Sequence, residues 1–303
     1  MSALRSAWQS TVGGGPDFTH QALGTRIDPD GLAGYWCDLR HKAHVAAAAP
    51  DGLPRDGRGR PIHWVVPIAQ AALGAWEERL DGRGGAEERF LALARTLRAL
   101  GRETGSGLAF GVDVAVPKYG LAPGWVGAMG QGQAISVLLR AHALTGEEEW
   151  RESARAALGP LPHARLDGAL VLEEYPTRVP CAVLNGWIFA VLGVWELGRA
   201  GGDPRAADLF TESTDGLLAL LPRYDVGWWS RYSLYPHKRP DFAKPFYQRL
   251  HPVMLDALAL ARPDPRLTAM ADRWRAQLTP LAVARAAAEK VRFRVGGGRA
   301  LAG

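Results

Sequence analysis

The chain has 303 residues, 47% apolar, 22% charged and 9% aromatic, with a formal net charge of +5. This composition excludes general disorder, because buried apolar surface can offset the entropy of ordering, and the length suits one large domain or two modest ones. Residues 281–303 carry a net +4 and the other 280 residues only +1, so the basic character belongs to a tail rather than to a nucleic-acid-binding body.

The two cysteines, Cys37 and Cys181, are too few and too far apart for a disulfide framework or a zinc site. Residues 1–20 lack the apolar core of a secretory signal. The most apolar stretch, 181–195, is broken by Asn185 and Gly186, which favours a buried helix over a membrane span. The expectation is a soluble chain, cytoplasmic by default.

In chain order, residues 1–60 read as loop, with turn chemistry at Gly13-Gly14-Gly15-Pro16, Asp28-Pro29-Asp30-Gly31 and Asp51-Gly52. Helical period begins near Val65: Ile68, Ala72 and Trp76 share one face, Phe90, Leu93, Leu97 and Leu100 the next, and residues 129–144 form a third helix. Thr145-Gly146-Glu147-Glu148 has capping-box spacing, and Asp203-Pro204 and Asp264-Pro265 each place an N-cap acceptor before a helix-starting proline. Further helices are expected over about 182–200, 205–221, 247–261 and 266–278.

The loops at 105–127, 161–180 and 224–245 are long and rich in Trp, Tyr, Gly and Pro. Loops of about 20 residues in a compact domain usually carry function. Helix pairs closed by such loops predict an all-α fold, an α/α toroid (an incomplete α/α barrel) with a cleft where the loops gather. No βαβ pattern and no close repeat appear.

Several constellations within these loops have both a chemical and a bland reading. In Glu173-Glu174-Tyr175-Pro176-Thr177 the proline enforces extended geometry, so at most one of the two glutamates faces a cleft; the bland reading is a surface pair. The run from Tyr224 to Tyr232 is dense in aromatics, which either seal the core or line a site. Tyr247 and His251 share a helix face, and a lone pair of this kind is more often core than site. Asn185 is the only asparagine, which points to a required amide contact. Residues 127–133 are glycine-rich but lack a dinucleotide fingerprint, and His41 with His44 lacks a third metal partner. No metal and no cofactor are expected.

Taken together, these residues resemble the heparosan-glucuronate C5-epimerase family. Residues 125–136, WVGAMGQGQAIS, resemble its WYSAMAQGQAIS; Glu173-Glu174-Tyr175-Pro176-Thr177 with Val183-Leu184-Asn185-Gly186 resembles EEYPT and VLNG; residues 221–227 resemble LPLYDTG, and Tyr247 with His251 resembles YHxxH. Tyr35-Trp36-Cys37-Asp38-Leu39-Arg40 and Pro67-Ile68-Ala69-Gln70 are similar to segments of compact bacterial members. The likeness runs from about residue 30 to 279 and leaves no room for the β-rich domain of animal members. It implies an N-terminal arm at 1–29, a catalytic α/α-toroid domain at 30–280 and the basic tail at 281–303.

The family implies C5 epimerisation of a D-glucuronate unit in a saccharide to L-iduronate: a proton α to a carboxylate leaves one ring face and another returns on the opposite face. Such chemistry needs two opposed acid/base groups and partners for the carboxylate. By resemblance these are Glu174 and Tyr247, supported by Tyr232, with Tyr175, Trp125, Gln131, Gln133, Asn185 and His251 positioning the saccharide or the catalytic groups. Three positions depart from the family: Val126 stands for Tyr, Gln248 for the first His of YHxxH, and Tyr235 for the arginine expected to clamp the uronate. Arg231, Arg178, Arg249 and Arg40 are the candidates to replace that arginine, although an adjacent position rarely reproduces a bidentate fork. A lyase sharing the carbanion intermediate, or a non-catalytic saccharide-binding protein on the same fold, is the alternative. The partner is a saccharide or another carboxylated small molecule, with neither nucleic acid nor membrane; a homodimer stays open.

Overall fold

A computed structural model of the chain describes residues 21–56 and 58–296. Ten α-helices make up most of the described residues: α1 (Arg40–Ala47), α2 (Val65–Leu80), α3 (Ala86–Ala99), α4 (Ala128–Thr145), α5 (Glu148–Ala156), α6 (Leu184–Arg199), α7 (Pro204–Leu220), α8 (Pro245–Ala261), α9 (Pro265–Ala276) and α10 (Pro280–Gly296). The sheet content is three two-stranded antiparallel hairpins, β1 (Arg102–Thr104) with β2 (Gly107–Ala109), β3 (Gly111–Val112) with β4 (Trp125–Val126), and β5 (His163–Leu166) with β6 (Ala169–Leu172). The mostly helical expectation holds.

Helices α2, α4, α6 and α8 pack in that order as an inner row, with α1 and α3 backing α2, α5 backing α4, α7 backing α6 and α9 backing α8. The burial follows: α2, α4 and α6 are buried nearly all round, as a helix between two layers must be, whereas α3 and α5 bury one stripe. At the α4–α6 crossing two glycines are required. A Cβ on Gly193 would lie 2.1 Å from the Gly132 carbonyl oxygen, and one on Gly132 would lie 2.5 Å from Ala190 Cα. Further along the same crossing Arg140 forks onto Glu196, Nη1 to Oε2 at 2.9 Å and Nη2 to Oε1 at 2.8 Å, and also donates to the Gly34 carbonyl. Both partners are buried, so this pair ties α4, α6 and the N-terminal segment together.

The Asp203 and Asp264 caps form as expected, each carboxylate accepting from the backbone N–H two residues on. Two expectations need correction. Residues 40–47, within the expected loop region, are helical; Leu39 at the N-cap makes no side-chain cap, so no start signal marks the helix. The capping box at Thr145 does not form. Thr145 ends α4 and donates its hydroxyl to the Ala141 carbonyl, Gly146 turns the chain at φ +73°, and Glu148 pairs with Arg151. The long loops are partly hairpins. Asp167 and Gly168, both at positive φ, form the two-residue connection of β5 to β6. No helix among the described residues is long and apolar enough to cross a membrane.

Candidate active site

A cavity of about 320 Å³ opens at one end of the inner row. The inner helices supply their N-terminal turns to its wall: Trp64, Val66 and Gln70 from the start of α2, Met129 from α4, Asn185 and Phe189 from α6, and Phe246, Tyr247 and Leu250 from α8. The remaining wall comes from segments that lead into those helices. Pairing of Val112 with Trp125 in the β3–β4 hairpin brings both side chains to the cavity, and β6 runs directly into Glu173, Glu174 and Tyr175. Four helix N-termini therefore gather around one space and turn the positive ends of their dipoles toward it, with the first N–H of α4 and of α6 taken by the Glu173 and Tyr232 carbonyls.

The two adjacent glutamates have opposite fates. Glu173 is turned into the protein, where its carboxylate accepts from the backbone N–H groups of Cys181 and Ala182 at 3.1 and 3.2 Å. Ala182 has φ +46°, a strained left-handed backbone for a residue with a Cβ, and Tyr224 donates to its carbonyl at 2.6 Å. That clamp sets the start of α6 and hence the direction of Asn185. Glu174 lines the cavity instead; its Oε2 is buried with no hydrogen-bond partner, and it packs on Gly186, where a Cβ would come within 2.3 Å of that oxygen. Burial pushes the Glu174 carboxyl up to about 7, against the Tyr175 phenol donating toward it and the Lys118 ammonium.

Tyr175, Trp125, Asn185 and Tyr247 also line the cavity. Tyr175 stacks on Tyr119 with ring centroids 4.5 Å apart, and Trp125 Nε1 donates to the Val114 carbonyl at 2.8 Å. Asn185 has only a long contact to Met129 Sδ, 4.0 Å, and its Oδ1 is buried without a partner. Tyr232 stands behind this wall, 4.8 Å from Tyr247 between centroids, its hydroxyl interacting with the phenols of both Tyr175 and Tyr247. A chain of polar groups thus runs Glu174–Tyr175–Tyr232–Tyr247. Burial and the Glu174 charge hold the Tyr247 phenol well above its ordinary range, so it is neutral at rest.

Of the residues expected to position the saccharide or the catalytic groups, Gln131, Gln133 and His251 do not line the cavity, and neither do Arg40, Arg231 and Arg249. Gln131 is fully buried, with Oε1 accepting from Phe110 N–H at 2.7 Å and Nε2 donating to the Leu108 and Ala157 carbonyls. Gln133 is buried against Tyr35. His251 is fully buried, its imidazole pushed down to about 3 by desolvation. It lies 3.0 Å from the Ser230 hydroxyl, and Ser230 also donates its N–H and hydroxyl to Gln248 Oε1 at 2.8 and 2.7 Å. Gln248 and His251 therefore fix the loop that carries Tyr232. Arg40 is engaged by Asp38, Glu77 and Asp81. Arg231 joins a backbone bridge to Phe242, and Arg249 is exposed at the start of α8.

Sequence reasoning missed an ion cluster. Buried Asp241 binds both Lys118 and Lys290, the latter from α10, and its carbonyl accepts from Tyr232 N–H at 2.7 Å. The two ammonium groups sit 5.6 and 5.7 Å from the centre of the Tyr232 ring. Lys290 comes from the basic segment, whose Ala286, Lys290 and Phe293 are buried on one face of α10. Among the described residues, no three His, Cys, Asp or Glu side chains converge to hold a metal ion.

The profile of the family described as D-glucuronyl C5-epimerase C-terminus matches residues 105–276, more than half of the chain. The chain belongs to this family. The C5-epimerase match covers β2 through α9, and with it every residue of the Glu174–Tyr247 chain. Among similar proteins, the D-glucuronyl C5-epimerase of Caenorhabditis elegans is 31% identical over 186 residues, 54% of this chain and 30% of that protein. An uncharacterized protein of Methanocaldococcus jannaschii is 30% identical over 147 residues, 45% of this chain and 46% of that one. Each match spans less than half the length of the relative.

Proposed function

We propose that this chain is an epimerase-like enzyme that moves a proton at the carbon α to a carboxylate, with a D-glucuronate unit of a saccharide, converted at C5 to L-iduronate, as its substrate. The observation that carries the reading is that Glu174 and Tyr247, one from the segment before α6 and one from α8, line the same cavity. Their resting states also suit the task. With Glu174 titrating at about 7, a fraction is carboxylate at neutral pH, and Tyr247 is a neutral phenol. Glu174 takes the C5 proton, the C–H electron pair delocalises into the sugar carboxyl, and Tyr247 donates its proton to C5 from the opposite face. The phenolate left on Tyr247 is reset by transfer from protonated Glu174 through Tyr175 and Tyr232.

The carboxylate of such a substrate meets no arginine or lysine among the described residues of the cavity wall. We assign its stabilisation to the gathered helix N-termini, each worth a few tenths to about 1 kcal/mol for a nearby anion, and to the Asn185 Nδ2 donor, held only by its long contact to Met129 Sδ. The arrangement of inner and outer helices supports an incomplete α/α toroid as the frame, with the catalytic domain spanning 30–280.

Hydrogen exchange at C5 in deuterated water tests the reading. The chain is expected to wash deuterium into glucuronate oligosaccharides without a rise in unsaturated-product absorbance. Glu174→Gln and Tyr247→Phe are each expected to lower the rate about 10²–10⁴-fold. An absorbance rise would reassign the chain as a lyase, and full exchange in both variants would leave a saccharide-binding protein.

A further inference from the structure

A second cavity, of about 220 Å³, lies on the other side of Trp64 and Gln70, which line both. Its remaining wall comes from α1, the turn-rich segment before α2 and Pro67 of α2, and includes Lys42, Val45, Pro54 and Arg55. The whole of this wall precedes residue 105, where the family match begins.

The two cavities are complementary in charge. The first has Glu174 and two phenols on its wall and no basic side chain among the described residues; the second has two. Arg55 is steadied by Asp51 at 2.6 Å, a contact that engages one of the five N–H donors of its guanidinium. The partition is one indole and one amide. Trp64 is the N-cap of α2 in extended geometry, and Gln70 is buried on the same helix's wall between the two spaces. Aromatic faces and amides are what a sugar ring packs on and hydrogen-bonds to.

This inference rests on the reading above. A uronate within a saccharide reaches the catalytic cavity with its neighbours attached, so that cavity has to continue into space for the next units. A uronate saccharide also carries its negative charges at intervals, one to an acidic unit. We infer that the second cavity is a subsite for another acidic unit of the same saccharide chain, whose carboxylate is taken by Lys42 and Arg55 while the chain crosses Trp64 and Gln70. The basic side chains that the catalytic wall lacks are then supplied one subsite away.

The test compares glucuronate-containing di-, tetra- and hexasaccharides on the full chain and on a Lys42→Met/Arg55→Gln double variant, with binding measured by calorimetry and C5 exchange by NMR. The wild-type preference for hexasaccharide over disaccharide, as a ratio of kcat/KM, is expected to fall about tenfold in the double variant, the size of one to two exposed charge contacts. Added salt is expected to lower the same ratio in the wild type and not in the variant. A loss that is equal at every length, as a purely structural role would give, or an unchanged ratio, overturns the subsite while leaving the epimerase reading standing. Length-dependent binding through Lys42 and Arg55 with no exchange keeps the subsite and overturns the reaction, and absence of binding at every length overturns both.

Discussion

Helices α4 and α6 run from a saturated crossing to an unsaturated end. At the crossing, glycines let the backbones touch, Arg140 and Glu196 fork onto each other, and Gln131 spends its whole amide on three backbone groups. Where α6 begins, Asn185 Oδ1 and the Oε2 of Glu174, which packs on Gly186 from the segment before the helix, are buried with nothing to bond. A buried polar group without a partner costs stability, so a fold keeps it where a ligand answers it. Function and stability are thus divided along single helices. Gln133 lies between these extremes: away from the cavity, its buried amide is answered by the Tyr35 phenol alone.

The largest effect expected from this division is on catalysis. Glu174→Gln and Tyr247→Phe remove exchange by the factors given above while the melting temperature stays within a few degrees of the parent. A collapse of the fold in both would place these residues with the crossing. The reverse pattern is expected at the crossing itself. Arg140→Met leaves Glu196 buried and unpaired, which costs about 3–5 kcal/mol in urea unfolding, with the exchange rate per folded molecule little altered.

Gly186→Ala probes the boundary between the two regions. An added Cβ would meet Glu174 Oε2 at 2.3 Å and Glu174 Cβ at 2.6 Å, so the carboxylate has to move. Exchange is expected to drop about 10–100-fold, while the up to about 1 kcal/mol that the helix gains from losing glycine is offset by the steric cost of the contact with Glu174 Cβ, visible as an activity loss larger than the stability change. Equal losses of both would mean that the glycine serves packing alone.

The smallest effect is a pH slope. Glu173 and Glu174 both rise from an ordinary 4.5 to about 7 on folding, through burial. The folded chain therefore binds more protons than the unfolded one between those values, and stability declines as pH rises through that window. In Glu174→Gln the slope is expected to flatten, and above pH 7 the variant is at least as stable as the parent. An unaltered slope would show that Glu174 is not held protonated by the fold. In the direction where Glu174 is the base, exchange rises with pH through about 7 to a plateau.

Local signals in the sequence carried much of the helical framework. The Asp-Pro caps at 203 and 264, the periods from Val65 onward and the motif order along the family match all correspond to observed elements or to the family assignment. Asp167-Gly168 is an equally local signal, a two-residue hairpin turn within the span expected as loop. Summing charge over residues 281–303 hid the period that buries Ala286, Lys290 and Phe293 at spacings of four and three. Helix α1 had no legible start because no side chain caps it.

What the sequence determined by itself is the mostly helical class of fold and most helix limits, because caps and periods act over a few residues; Glu174 and Tyr247 became candidates through the family resemblance. Only the tertiary structure decided which polar residues were answered from elsewhere. Gln131 finds its partners at Leu108, Phe110 and Ala157, and His251 finds Ser230; Lys290 finds Asp241, 49 positions away. Saturation of a polar group is a property of three-dimensional neighbours, so the same residue type is a core tie in one place and a cavity wall in another.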